Sequence, residues 1–352
     1  VGTAPGLLAG SLVPVQAKEP VFDAIVGESF PTLAAALGAQ TRSPWRILLK
    51  AGIWKEKLVI RQPGVHLIGE DREKSVLTFD AAAGQLDGEG KPLGTPGSAS
   101  LTIEAPDCIL HNLTLANHFD YLDAVAHQKF PAVGANGAQA LALWLGKGAD
   151  RTLIDQVDIT GHQDTLFADS GTSLFRACRI SGSVDFIYGG GRALFEDCEI
   201  VSRFRPGLQR NHGFITAPST DRDQPFGLVF NGCRLTREPE VPPASVVLGR
   251  PYRPRRQFAD GAYGDPAAVG SAVFLQCWMD DHISADGWDE MYYANKEGGR
   301  SPLAPLEARL FEFASSGPGA FENRRRPWLN APQAAAYSEA AILDAWHPPT
   351  RI

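Results

Sequence analysis

Asp164 and Asp185 stand in two short glycine-bounded segments, Gly161-His162-Gln163-Asp164-Thr165-Leu166 and Gly182-Ser183-Val184-Asp185-Phe186-Ile187-Tyr188-Gly189. They lie 21 positions apart (185 − 164). In a chain that coils with a period near that number, the two carboxylates occupy neighbouring turns, about 4.8 Å apart, the spacing of adjacent strands. Two carboxylates that close do not both ionise freely. One holds a proton near neutral pH while the other stays charged, above all if a cation pairs with it. One residue type then supplies both a proton carrier and a nucleophile. Gln139 stands 24 before Gln163 (163 − 139), so the same period brings it into the column. The two amide NH2 groups would serve a developing oxyanion. Arg250, in Leu248-Gly249-Arg250-Pro251-Tyr252, is a candidate cation that grips one carboxylate through both oxygens. These residues together predict acyl transfer without serine, histidine or metal. Each has a structural reading as well: aspartates in Gly-rich turns, an arginine tying down a loop, glutamines stacked in a ladder.

Such a site needs a coil to position it, and an internal repeat supplies one. The pattern is apolar, two residues, apolar or Cys, one residue, apolar. It occurs at Leu110-Leu113-Leu115, Ile154-Val157-Ile159, Phe175-Cys178-Ile180, Phe195-Cys198-Ile200, Phe230-Cys233-Leu235 and Phe274-Cys277-Met279. Two of the gaps are near 20 residues and two are about twice that. No long amphipathic run lies between the copies, which argues against a helical solenoid, and the period is too short for a propeller blade. The pattern predicts an all-β fold, a single-stranded right-handed parallel β-helix with coils of about 20 residues. Phe186, Leu166 and Leu141 then dip inward or flank the column. Residues 116–137, 203–213 and 253–270 read as long loops. Phe30-Pro31-Thr32-Leu33 opens a short helix with Thr32 as N-cap, which would cover one end of the solenoid. Asn330–Tyr337 and Ala340–Leu343 read as C-terminal helices that pack back on the coils. Residues 1–24 read as an extended tail and 25–352 as one catalytic domain.

Composition bounds the partners. The net charge is −7 and no basic stripe is present, so nucleic acid is not an expected partner. The same balance disfavours long-range capture of a polyanion and leaves a neutral or esterified polymer unopposed. No stretch is apolar enough to span a membrane. The sequence begins at Val1, which reads as a processed or trimmed N-terminus. No dimer face is legible, and a monomer is expected. Neither a cofactor nor a metal is expected. Cys178 and Cys198 occupy one place on successive coils, so a bridge and a reduced stack are both open. Cys108, Cys233 and Cys277 read as small core residues.

The same segments resemble a known family. Gly161–Leu166, Asp185-Phe186-Ile187-Tyr188-Gly189 and Leu248–Tyr252 are similar, in order, to the three signatures of pectin methylesterases, carbohydrate esterase family eight. Ala51-Gly52-Ile53-Trp54-Lys55-Glu56 and Gln139-Ala140-Leu141-Ala142-Leu143 resemble two further family segments. Ser202-Arg203-Phe204-Arg205, Thr216–Thr220 and Met279–Ile283 resemble the bacterial branch. The resemblance implies a parallel β-helix that hydrolyses galacturonate methyl esters in pectin. It implies Asp185 as nucleophile, Asp164 as general acid and base, Gln139 and Gln163 as oxyanion donors, and Arg250 as the residue that orients Asp185. It further implies a substrate cleft lined by Val184, Tyr188, Tyr252 and Met279, with Ser100, Arg205, Asn211 and Phe214 as weaker correspondences. Cys178 and Cys198 match a disulfide position of bacterial members, which implies a bridge and an oxidising, secreted or cell-envelope location. The chain departs from the family at Tyr188, usually Phe, and at Tyr252, usually Trp. The alternatives are an esterase or thioesterase with another acyl substrate, or a carbohydrate-binding β-helix without turnover.

Overall fold

The computed structural model describes residues 21–130, 137–208, 212–350 and 352. The extended tail expected at the N-terminus and Asn211 therefore fall, in whole or in large part, outside the described residues. The chain winds as the repeat predicts. Its strands stack into three parallel sheets of ten, eight and seven strands. One coil shows the plan: Thr172–Arg176 joins the first sheet, Arg179–Gly182 the second and Val184–Gly189 the third. The next coil repeats it with Arg192–Glu196, Glu199–Ser202 and Gly213–Pro218.

The repeat reads directly as register. Leu110, Ile154, Phe175, Phe195, Phe230 and Phe274 are partners on successive strands. The four phenylalanines stack face to face inside the coil with centroids 4.4–4.5 Å apart. Each such pair adds roughly 0.5–1.5 kcal/mol beyond the area it buries. Leu115, Ile159, Ile180, Ile200, Leu235 and Met279 form a second inward column. The turn between them is made by Asn112, Gln156, Ala177, Asp197, Gly232 and Gln276, all with φ between 50° and 66°. Only one of these is glycine. The left-handed turn costs the others of order 1 kcal/mol, and it aims the following residue inward: Leu113, Val157, Cys178, Cys198, Cys233 and Cys277 are all buried.

The bridge expected between Cys178 and Cys198 is not formed. All five cysteines are free thiols. The sequence singled out a pair, but coil stacking makes a column in which Cys198 touches both Cys178 and Cys233. The two thiols of the expected bridge instead donate to carbonyls of the preceding coil, Cys178 to Ile154 (3.3 Å) and Cys198 to Phe175 (3.4 Å). Two further differences lie at the rim. The expected loop 253–270 contains an antiparallel hairpin, Arg255–Phe258 with Gly261–Gly264. A second hairpin pairs Met291–Ala294 with Arg300–Leu303.

Both ends of the coil are covered. The helix Leu33–Gly38 begins where expected, and the Thr32 hydroxyl accepts from Ala35 N–H (3.1 Å). At the other end the phenylalanine column stops at Glu312, the partner of Phe274. Glu312 and Arg326 are wholly buried and joined by two hydrogen bonds of 2.6 and 2.7 Å. Arg326 also donates to Gly319 O (2.7 Å). Glu312→Ala should therefore cost about 3–5 kcal/mol, since it strands a buried guanidinium. Denaturant unfolding measures this, and a loss under about 1 kcal/mol would show that water reaches Arg326. Ile342 and Leu343 of the helix Glu339–Leu343 pack on the outer face of the first sheet with Leu153, Leu174, Leu194 and Val229, as expected of the C-terminal helices.

Candidate active site

Asp185 lies in the strand Val184–Gly189 of the third sheet, and Asp164 in the turn just before the neighbouring strand Leu166–Ala168. Gln163 is the partner of Val184 and Leu166 the partner of Ile187, so the two aspartates are level on adjacent coils. Both have left-handed backbones, φ 61° and 48°. Non-glycine residues rarely adopt this, and aspartate tolerates it better than most. The cause is local. Pairing of Val184–Gly189 with the next strand slips between Val184 and Ile187. Phe186 and Ile187 both enter the core, while Val184 and Tyr188 pack in separate clusters on the outer face. Gly182 makes room for this bulge, since a Cβ there would meet Phe186 Cβ at 2.2 Å.

The two carboxylates have unequal surroundings. Arg250 donates to Asp185 through Nε (2.9 Å) and Nη2 (2.8 Å), a two-pronged fork. Its guanidinium lies over the Phe214 ring, 3.8 Å from the centroid, and its backbone N–H is held by Thr216 O. Asp164 has no such partner among the described residues. Burial first, and the neighbouring charge of Asp185 second, push its carboxyl well above the usual range, with Arg250 opposing. The surroundings thus push one buried carboxyl toward its protonated form and hold the other carboxylate in an ion pair.

Gln163 adjoins Asp164 in this bend. Its carbonyl accepts from Ala140 N–H (3.1 Å), so Ala140 is level with Gln163 and Gln139 stands one residue before. The expected column is staggered there because this coil advances by 23 residues, as in the pairing of Leu143 with Leu166. Gln139 Oε1 is buried without a hydrogen-bond partner among the described residues.

Two walls flank the pair. On one side Trp144, Phe167 and Tyr188 stack in register, with centroids 6.1 and 4.2 Å apart, and Tyr252 and Met291 pack beside them. On the other, Val184, Phe214 and Val247 form an apolar column. Above Asp164, Tyr121 stacks on His162 with centroids 5.0 Å apart. Burial and the nearby Arg203 and Arg205 drop the His162 pKa to about 3, so this ring is neutral. Arg205 donates to His212 O (3.1 Å), and its charge reaches Tyr121.

Two expected lining residues are elsewhere. Met279 is fully buried in the coil interior, in the inward column with Leu235. Met291 borders the wall in its place. Ser100 is buried too. Its hydroxyl donates to Ala116 O (2.7 Å) and accepts from Phe79 N–H (3.0 Å), so it ties strands together. Tyr121, Trp144, Phe167 and Met291 were not foreseen. Asp120 does signal Tyr121, because it caps the helix Tyr121–Ala126 inside a stretch read as loop.

Comparison with known proteins places this arrangement. Residues 27–344 match the protein family described as Pectinesterase. The chain is 39% identical to Pectinesterase A of Dickeya dadantii over 97% of its own length and 96% of the relative's. Among solved structures, the pectin methylesterase of Erwinia chrysanthemi superposes with a TM-score of 0.88 at 39% identity, covering 94% of this chain and 99% of that one. A pectin methylesterase in complex with a hexasaccharide superposes with a TM-score of 0.89 at 38% identity, with the same coverage. A parallel β-helix bearing a stacked, arginine-clamped aspartate pair, matched over nearly its whole length, belongs to the pectinesterase family.

Proposed function

We infer that the protein is a carboxylic ester hydrolase that removes methyl groups from esterified galacturonate units of pectin, releasing methanol and leaving pectate. The observation that supports this most is the unequal pair: Asp164 buried with its carboxyl pushed up by that burial, Asp185 forked by Arg250, in a chain similar throughout to Pectinesterase A.

The residues suggest the following course. An Asp185 oxygen attacks the ester carbonyl carbon, and the carbonyl electron pair moves onto oxygen. The amide NH2 groups of Gln139 and Gln163 donate to that anion. As it collapses, the bond to the methoxy oxygen breaks and Asp164 gives up its proton, so methanol leaves and an acyl-enzyme remains. Asp164, now a carboxylate, takes a proton from water, whose oxygen attacks the acyl carbon. Collapse breaks the bond to Asp185 and restores its carboxylate, with Asp164 protonated again. The galacturonic acid set free keeps the second proton of the water and loses it to solvent, leaving the galacturonate carboxylate. Arg250 orients the nucleophile throughout. Tyr188 and Tyr252 offer ring faces to the sugar, and Val184 and Phe214 offer an apolar surface to the methyl group.

A substrate that is a wall polymer also implies work outside the cell or in its envelope. No helix among the described residues is long and apolar enough to cross a membrane. We read residues 25–352 as one catalytic unit, because the inward columns continue from coil to coil.

Methanol release from highly esterified pectin tests the function, beside a panel of small esters and thioesters. Turnover of the panel without pectin would favour another acyl substrate. Pectin binding without methanol would favour a carbohydrate-binding role. Gln163→Ala should lower kcat by roughly 10²–10³ with a small change in KM, as for loss of one oxyanion donor. A rise in KM alone would assign Gln163 to substrate binding instead.

A further inference from the structure

Asp169 stands just beyond the strand Leu166–Ala168, where its N–H is held by Leu145 O (3.1 Å). Its carboxyl lies beside the Trp144 indole and close enough for its charge to act on the Tyr188 and Tyr252 phenols. It is half-buried, and no basic side chain among the described residues is within ion-pair distance. Arg256, whose charge reaches it, is already 2.9 Å from Asp265. Trp144 Nε1 is buried and has no acceptor in hydrogen-bonding geometry among the described residues. The acid and the indole N–H thus face each other in the aromatic wall, and the acid has no counter-cation among the described residues. A half-buried acid without a counter-cation is costly, and such groups concentrate at sites that use them.

We propose that Asp169 is a specificity-determining residue that lets an esterified galacturonate unit lie against the aromatic wall and turns away a de-esterified one. The proposal rests on the pectin reading above. A methyl ester is neutral and meets no like charge there. A free carboxylate in the same place meets the like charge of Asp169 where water screens it poorly, and like-charge contacts of this kind suppress the wrong partner. The enzyme would then hold stretches still to be hydrolysed and release stretches already processed.

The test compares wild type, Asp169→Asn and Asp169→Glu at about pH 8, far above the ordinary carboxylate range. It measures KM for fully methyl-esterified hexagalacturonate and the inhibition constant of the de-esterified hexamer. Asp169→Asn should tighten inhibition by about tenfold, one like-charge contact, and shift KM by less than about twofold. Asp169→Glu should keep the wild-type ratio of the two constants. An unchanged ratio in Asp169→Asn, or both constants moving together, overturns the proposal. Asp169→Ser replaces the Asn variant if that protein does not fold. Wild type that releases no methanol from the esterified hexamer would instead sink the pectin reading.

Discussion

Asp185→Asn is expected to release methanol from highly esterified pectin at least about 10⁴-fold more slowly than wild type, the scale of removing a covalent nucleophile. Asparagine keeps the shape of the side chain and tolerates the left-handed backbone at φ 48°, which alanine would strain. The variant therefore isolates the chemistry. The amide lacks the charge to attack an ester, and it leaves the Arg250 fork, with contacts of 2.8 and 2.9 Å, facing a neutral group. The site loses its nucleophile and the charge balance of its ion pair in one step. Initial rates of methanol formation measure the effect, with circular dichroism to confirm the fold. A loss smaller than about 100-fold would mean that Asp185 only helps to position the substrate, and the chemistry would have to move to another group.

The coil was legible because inward positions obey a strict rule. Each must match the residue stacked above and below it, so Phe175, Phe195, Phe230 and Phe274 recur and their register follows from sequence. The same rule assigned Met279 to the interior. Placing it in the substrate cleft by family resemblance went against the repeat, and the structure agrees with the repeat. Outward residues bear a weaker signal. Trp144, Phe167 and Tyr188 do follow the coil spacing, at 23 and 21 residues (167 − 144 and 188 − 167), only a few positions beyond the glutamine and aspartate column. Their stacking could have been read by extending that column along the strands. Met291 could not, since it stands at the start of a hairpin outside the repeat. The thiol column shows the opposite limit. Spacing put Cys178 beside Cys198 correctly, but adjacency alone does not decide whether sulfurs bond or merely stack.

Asp164→Asn should make the protein both inactive and more stable. Catalysis should fall by about 10²–10⁴, because one residue serves as acid in the first half-reaction and base in the second. The stability gain follows from linkage. The folded carboxyl of Asp164 titrates well above its ordinary value, chiefly through burial and then through Asp185. Below the unfolded pKa, about 3.9, both states hold the proton and the residue is neutral to stability. As pH rises past that value the unfolded chain ionises while the folded one still holds its proton, so stability declines until the folded pKa is passed. Asparagine removes this penalty and keeps the left-handed backbone at φ 61°. Thermal unfolding at pH 7 should thus give a higher midpoint for the variant, and the gap should close near pH 3–4. Equal midpoints at pH 7 would show that water reaches the carboxyl freely and that Asp164 is not held as an acid. Wild-type turnover should also fall as pH rises through that same folded pKa, because the proton lost there is the one methanol needs to leave. The burial that weakens the fold is then the feature that lets an aspartate act as an acid beside a charged twin.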